Sequence, residues 1–121
     1  ALATYIEQDS EDHSKVAICR NHLGLAWKSK GEYDKAIAFY ELALASDLKT
    51  FGPDHLTVAT DRNNLGAAWQ SKGEYDKAIE YYKCALKICE LRLGENHPNT
   101  NTVRNNLEDA QANLLAPIEG G

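Results

Sequence analysis

Seven residues of this chain occur twice, letter for letter. Gly31-Glu32-Tyr33-Asp34-Lys35-Ala36-Ile37 returns as Gly73-Glu74-Tyr75-Asp76-Lys77-Ala78-Ile79, 42 residues later. Around this core, Leu23-Gly24 returns as Leu65-Gly66, Trp27 as Trp69, Tyr40 as Tyr82, and Ala43-Leu44 as Ala85-Leu86. Self-similarity at a fixed period makes the chain an array, in which each unit buries its apolar face against its neighbours.

The period inside each unit is helical. Leu23, Ala26 and Trp27 recur at i, i+3, i+4, as do Leu65, Ala68 and Trp69. This predicts a first helix, A, over residues 14–30 and again over 56–72. Tyr33, Ala36, Ile37, Tyr40, Ala43 and Leu44, with their copies from Tyr75 to Leu86, predict a second helix, B, over 33–51 and 75–93. Residues 98–115 read as a third helix A, with Leu107 and Ala110 in the places of Leu65 and Ala68. Glu108, Asp109 and Gln111 there replace Gly66, Ala67 and Trp69, as suits a capping element with one face in water. Gly24 and Gly66 stand inside helix A, where glycine costs roughly 1 kcal/mol against alanine. Their recurrence predicts close approach of a neighbouring helix. Trp27 and Trp69 are expected to be buried packing residues.

Gly31 and Gly73 are expected to end helix A, with Lys30 and Lys72 at the negative end of its dipole. Residues 10–13, 52–55 and 94–97 align as links between units. Gly52 and Gly94 suit helix ends, where a left-handed residue closes the last turn, Asp54 and Asn96 suit caps, and Pro98 suits a first helical position. Residues 1–9 align with 43–51, which predicts the end of a helix B from a preceding unit. The expected division is therefore 1–9, 10–51, 52–93 and 94–115, with a frayed tail over 116–121. The fold class is all-α, an α-solenoid of antiparallel hairpins.

Charge narrows the function classes. The net charge of −5 disfavours a nucleic-acid surface. No stretch is long and apolar enough to span a membrane, and the N-terminus lacks the basic-then-apolar order of a signal peptide. Cys19, Cys84 and Cys89 have no metal-type spacing and read as free thiols of an intracellular, cytoplasmic protein. His13, His55 and His97 recur once per unit, too far apart to share an ion, and read as loop histidines. No nucleophile, base and orienting group recur together, and no phosphate-binding loop follows a strand. No enzyme, cofactor or metal is expected.

The order Leu23-Gly24, Ala26-Trp27, Gly31, Tyr33, Ala36-Ile37, Tyr40, Ala43-Leu44 resembles the tetratricopeptide repeat. That family usually repeats every ~34 residues. The 42-residue period, with Asp54-His55, His97-Pro98, Val58-Ala59 and Asn63-Asn64-Leu65, looks like its kinesin light chain subtype. The resemblance covers nearly the whole chain and implies a protein-binding scaffold. It departs from the family at Arg20, Arg62 and Arg104, where a bulky apolar residue is usual.

In such arrays helix A lines a concave groove. The resemblance places Asn21, Leu25 and Lys28 there in the first unit, Asn63, Asn64, Ala67 and Gln70 in the second, and Asn105 and Asn106 in the third. Asn21, Asn63 and Asn105 form a ladder of one period. Each amide offers a donor and an acceptor, matching the backbone of an extended peptide. Bonds within or between helices are the other reading of the same residues. The arginines face either a preceding helix B, whose tail carries Glu7, Asp47 or Glu90, or the groove, as a cationic stripe for a partner with acidic residues around an aromatic. The two function readings are a peptide-binding adaptor and a structural spacer or self-assembly module, with weak end-to-end contacts through Leu2 and Ile6.

Overall fold

The computed structural model of the protein describes residues 2–120, with side chains from Lys15 to Leu115. Among them are five α-helices: α1 (Leu2–Ser29), α2 (Tyr33–Phe51), α3 (Leu56–Lys72), α4 (Tyr75–Leu93) and α5 (Pro98–Gly120). Each packs against the next in the chain, and α3 also touches α5. Links of two to four residues fold consecutive helices back as antiparallel hairpins, giving an all-helical solenoid.

Glycines set the helix ends. Gly73 takes the left-handed conformation, φ 92° and ψ 4°. Its N–H donates to Gln70 O and that of Glu74 to Trp69 O, so two carbonyls at the end of α3 are satisfied. The link after α2 uses a different geometry. Gly52 has φ 87° with an extended ψ of 169°. Gly94 matches it at φ 92° and ψ 161°. That region is essentially closed to residues with a Cβ. The expectation of left-handed closure at these two links is therefore corrected.

The same rule explains two further departures. The link expected at 10–13 is absent, and α1 runs unbroken from Leu2 to Ser29. Ser10 stands where Gly52 and Gly94 stand in the later copies, and serine does not readily adopt their backbone conformation. At the other end, α5 continues through the tail expected to fray. No glycine intervenes before Gly120 to end it.

The N-terminal caps are also reassigned. His55 Nδ1 accepts from Thr57 N at 3.0 Å. His97 Nδ1 accepts from Asn99 N at 3.1 Å. The imidazole Nδ1 lies as many bonds from Cα as the side-chain oxygen of Asp or Asn, so it reaches the same amide. Asp54 and Asn96 sit one position too early. His55 also stacks on Phe51, with ring centroids 4.3 Å apart. His55→Ala should lower stability by about 1 kcal/mol in urea titrations, as loss of a side-chain cap does, and His55→Asn should recover part of it.

The core repeats with the chain. One cluster joins Ala36, Ile37 and Tyr40 of α2 to Leu65 and Ala68 of α3. Its copy joins Ala78 and Tyr82 of α4 to Leu107 and Ala110 of α5. Between them, Val58, Ala59, Ala85, Ile88, Cys89 and Val103 form a third. Gly66 faces the Tyr82 ring. A Cβ there would lie 2.6 Å from Tyr82 Cε1, and one on Gly24 would lie 2.6 Å from Tyr40 Cε1. The close approach is thus made by a tyrosine ring of helix B.

Trp27 and Trp69 are half-buried, which corrects the expectation of full burial. They stand near the hairpin turns, where lysines cover them. Lys77 Nζ lies 4.3 Å from the Trp69 ring centroid and Lys72 Nζ 5.2 Å. Lys35 and Lys30 sit over Trp27 at 4.4 and 5.4 Å. An ammonium over an indole face is attracted by the ring quadrupole, so the exposed side of each ring is used too. Lys72 also pairs with Asp34 at 2.6 Å, which raises its pKa.

Candidate peptide-binding groove

Helices α1, α3 and α5 are the A helices, and polar side chains tie them in sequence. Asn21 Nδ2 donates to Asp61 Oδ1 at 2.8 Å. Asn106 Nδ2 donates to Asn63 Oδ1 at 3.1 Å. Gln70 Nε2 donates to Asn113 Oδ1 at 2.7 Å, while Gln70 Oε1 accepts from the Tyr82 hydroxyl at 2.9 Å. Burial, with a smaller contribution from Asp109, pushes the Tyr82 pKa up to about 12, so this phenol remains a donor across the neutral range.

The nine residues expected to line the groove fall into two sets. Asn21, Asn63, Gln70 and Asn106 hold neighbouring helices together. Leu25, Lys28, Asn64, Ala67 and Asn105 make no side-chain hydrogen bond to a described residue. Leu25 is 55% exposed and Asn105 is exposed, while Lys28, Asn64 and Ala67 are half-buried. The ladder therefore has unequal rungs. Asn21 is committed to Asp61, and its own Oδ1 is buried without a partner among the described residues. Asn63 accepts from Asn106 and donates to no described residue.

Asn63 also borders a cleft of about 340 Å³. Leu56, Ala59 and Thr60 of α3 meet Thr102 and Val103 of α5 there, with Cys89 and Leu93 of α4 completing the wall. The Thr60 and Thr102 hydroxyls donate back to Leu56 O and Pro98 O, which leaves their oxygens free to accept. The cleft thus joins an apolar wall to polar groups, among them Asn63, one of the residues expected to line a groove. Sequence reasoning did not anticipate it, because its walls come from three helices and two repeat units. Burial, aided by Glu90, raises the Cys89 thiol pKa and so disfavours its thiolate. Cys19, Cys84 and Cys89 are all free.

The arginines do not form one stripe. Arg104 pairs with Glu90 of the preceding helix B at 3.6 Å and also donates to Asn101 Oδ1 and Glu95 O. Arg62 lines a separate cleft with Cys84, Lys87 and Leu91, which shares no residue with the groove positions. Arg20 lines the equivalent cleft one unit earlier, with Leu42 and Lys49.

Asp61 escaped sequence reasoning, and Asp47, expected as one partner of the arginines, makes no ion pair with a described residue. Asp47 of α2 and Asp61 of α3 are 2% and 0% exposed. The signal was present, because the copies of Asp61 are Cys19 and Val103, so an acid occupies a position that is otherwise apolar or sulfhydryl. Among the described residues no three His, Cys, Asp or Glu side chains gather to hold a metal ion, and no helix is long and apolar enough to cross a membrane.

Comparison with known proteins agrees with the architecture. The crystal structure of BtubC (BKLC) from P. vanneervenii superposes with a TM-score of 0.72 at 30% identity, over 78% of this chain and 37% of that one. The chain thus spans about a third of the length of that structure. The tetratricopeptide repeat domain of Arabidopsis FLU superposes with a TM-score of 0.63 at 21% identity, over 90% of this chain and 99% of that one, a likeness of fold. No curated protein sequence matches. The tetratricopeptide repeat model matches twice, over residues 27–90 and 62–114, which together take in both copies of the duplicated motif. The two matches cover well over half of the sequence, and the chain belongs to the tetratricopeptide repeat family.

Proposed function

We propose that this chain binds an extended peptide segment of a partner protein along α1, α3 and α5, with one apolar side chain of the peptide seated in the cleft between α3 and α5. Tetratricopeptide repeat domains generally mediate protein–protein interaction, and the fold is typically a non-enzymatic scaffold. The observation that carries the finer reading is the cleft itself. It combines about 340 Å³ of space, an apolar wall and the Thr60 and Thr102 oxygens, and it lies beside Asn63. That volume is at the lower end of ordinary ligand sites and suits one side chain.

The groove also gives the peptide a polarity. Lys28 and His22 stand on α1, and Asp109 stands on α5. An acidic residue of the partner is favoured toward α1, and the middle of the groove presents uncharged hydrogen-bonding groups. An acidic segment around an aromatic anchor meets both requirements. The 42-residue period, longer than the usual ~34 residues of the family, supports assignment to the kinesin light chain-like subtype. A cytoplasmic setting fits this reading.

Selection of a random peptide library on the immobilised protein should enrich segments with one bulky apolar residue. Thr60→Trp, at an exposed position on the cleft rim, should weaken the selected peptides tenfold or more in fluorescence anisotropy. Joint replacement of Asn63 and Asn105 by alanine should do the same, since each hydrogen bond contributes about 0.5–1.5 kcal/mol. Unchanged affinity in both variants rejects the groove.

One observation favours the second reading, an assembly module. Val16, Cys19, Leu23 and Ala26 form an exposed stripe on α1, whereas Val58, Asp61, Leu65 and Ala68 at the same positions of α3 are buried. Leu23→Ser should then abolish any concentration-dependent association seen by sedimentation. The end contacts expected of Leu2 and Ile6 lie outside the residues whose side chains are described.

A further inference from the structure

The joint between α2 and α3 is closed differently from the joint between α4 and α5. At the second joint the facing residues are Cys89 and Val103, both in an apolar cluster. One period earlier, the same two positions hold Asp47 and Asp61. Both carboxyls are withdrawn from solvent, and they lie within hydrogen-bonding reach of each other. Asp47 Oδ2 and Asp61 Oδ2 are buried, and neither has a hydrogen-bond donor among the described residues.

Two ionised carboxylates cannot satisfy this arrangement. Both would be acceptors only, both would be stripped of water, and they would repel at contact distance. Among the described residues, the groups acting on Asp61 are Asp47 from α2 and the Asn21 amide from α1, and no cation is among them. A single proton resolves the conflict. It turns one carboxyl into a donor, supplies the other with a partner and removes one of the two charges.

We propose that Asp47 and Asp61 share one proton across the α2–α3 interface, and that this proton holds the two repeat units together in a joint that responds to pH while the next joint does not. The Asn21 amide donates to the same pair, so the shared proton and the first groove asparagine belong to one network. The joint itself needs no ligand in the groove.

Burial, followed by the hydrogen bond to Asp47, raises the Asp61 pKa to about 8. In the unfolded chain an aspartate titrates near ~3.9. The folded state therefore holds one more proton than the unfolded state between about pH 4 and pH 8. The stabilisation is fully present below the unfolded value and is lost as pH rises through the folded one.

The test is equilibrium unfolding in urea at several pH values between 5 and 8. One extra bound proton makes the unfolding constant rise about tenfold per pH unit. Asp47→Cys with Asp61→Val copies the next joint into this one and should remove that component. Asp61→Asn should remove it too while leaving a carbonyl for Asn21. Parallel pH profiles in wild type and both variants would overturn the proposal. Carboxyl-carbon NMR of the wild-type protein gives a second readout that needs no variant. A midpoint near 8 for one member of the pair is expected, and two midpoints below 5 would overturn the shared proton. Calcium or magnesium that stabilises the wild type at pH 8.5, and not the double variant, would show a cation in the proton's place and would also overturn it.

Discussion

Leu65→Ala should destabilise the protein by about 2–5 kcal/mol, whereas Leu23→Ala should cost less than about 1 kcal/mol. The two leucines occupy the same place in the repeat, each followed by glycine and with an Ala-Trp pair two residues further on. Leu65 is 0% exposed and is packed among Ala36, Ile37, Tyr40 and Ala68. Truncating it removes its transfer energy and leaves a cavity, because Ala36 and Ala68 have no side-chain length with which to fill it. Leu23 is 46% exposed, since no helix lies over its side of α1 among the described residues. Water already occupies the space that truncation would open. Urea midpoints of the two variants decide the matter. Equal losses would mean that the α1 face is covered in solution.

Gly66→Ala should destabilise by about 1–3 kcal/mol, even though alanine is the better helix former by roughly 1 kcal/mol. The added methyl would lie 2.6 Å from Tyr82 Cε1 and 2.7 Å from Cδ1. The ring has nowhere to retreat, because Tyr82 is buried and its hydroxyl donates to Gln70 Oε1. Combining Gly66→Ala with Tyr82→Leu should give a total loss smaller than the sum of the two single losses. That shortfall is the interaction energy of a double-mutant cycle. Strict additivity would show that the glycine is kept for a reason other than the ring. A gain in stability from Gly66→Ala alone would show that the ring moves aside.

The boundaries of α2, α3 and α4 were fully legible in the sequence. Apolar spacing marks the helix, and each helix ends at a glycine whose backbone conformation other residues avoid. The same logic applied without its glycine misled at residues 10–13, where alignment with the later copies suggested a link and Ser10 lets the helix run on. Alignment carried the position of the link, but the conformational preference of one residue makes it. The cap histidines show a similar limit. Their recurrence was visible, whereas the hydrogen bond from Thr57 N to His55 Nδ1 depends on ring orientation.

The repeat fixes the proposed groove positions but not which of their side chains are free. Asn21, Asn63 and Asn105 have the same spacing and the same chemistry. Their fates differ because their neighbours do: Asn21 meets Asp61, Asn63 meets Asn106, and Asn105 is exposed. No local rule separates these outcomes, since the partners lie 40 and 43 residues away in the chain.

By itself the sequence determined the helices, their order and the repeated apolar face, because backbone preference and helical periodicity are local properties of the chain. Only the tertiary structure decided which copy of that face is buried, which asparagines are free, and that Asp47 and Asp61 meet out of reach of water. Burial and hydrogen bonding between helices depend on what lies opposite in space, and one motif repeated along a chain has a different neighbour at each of its copies.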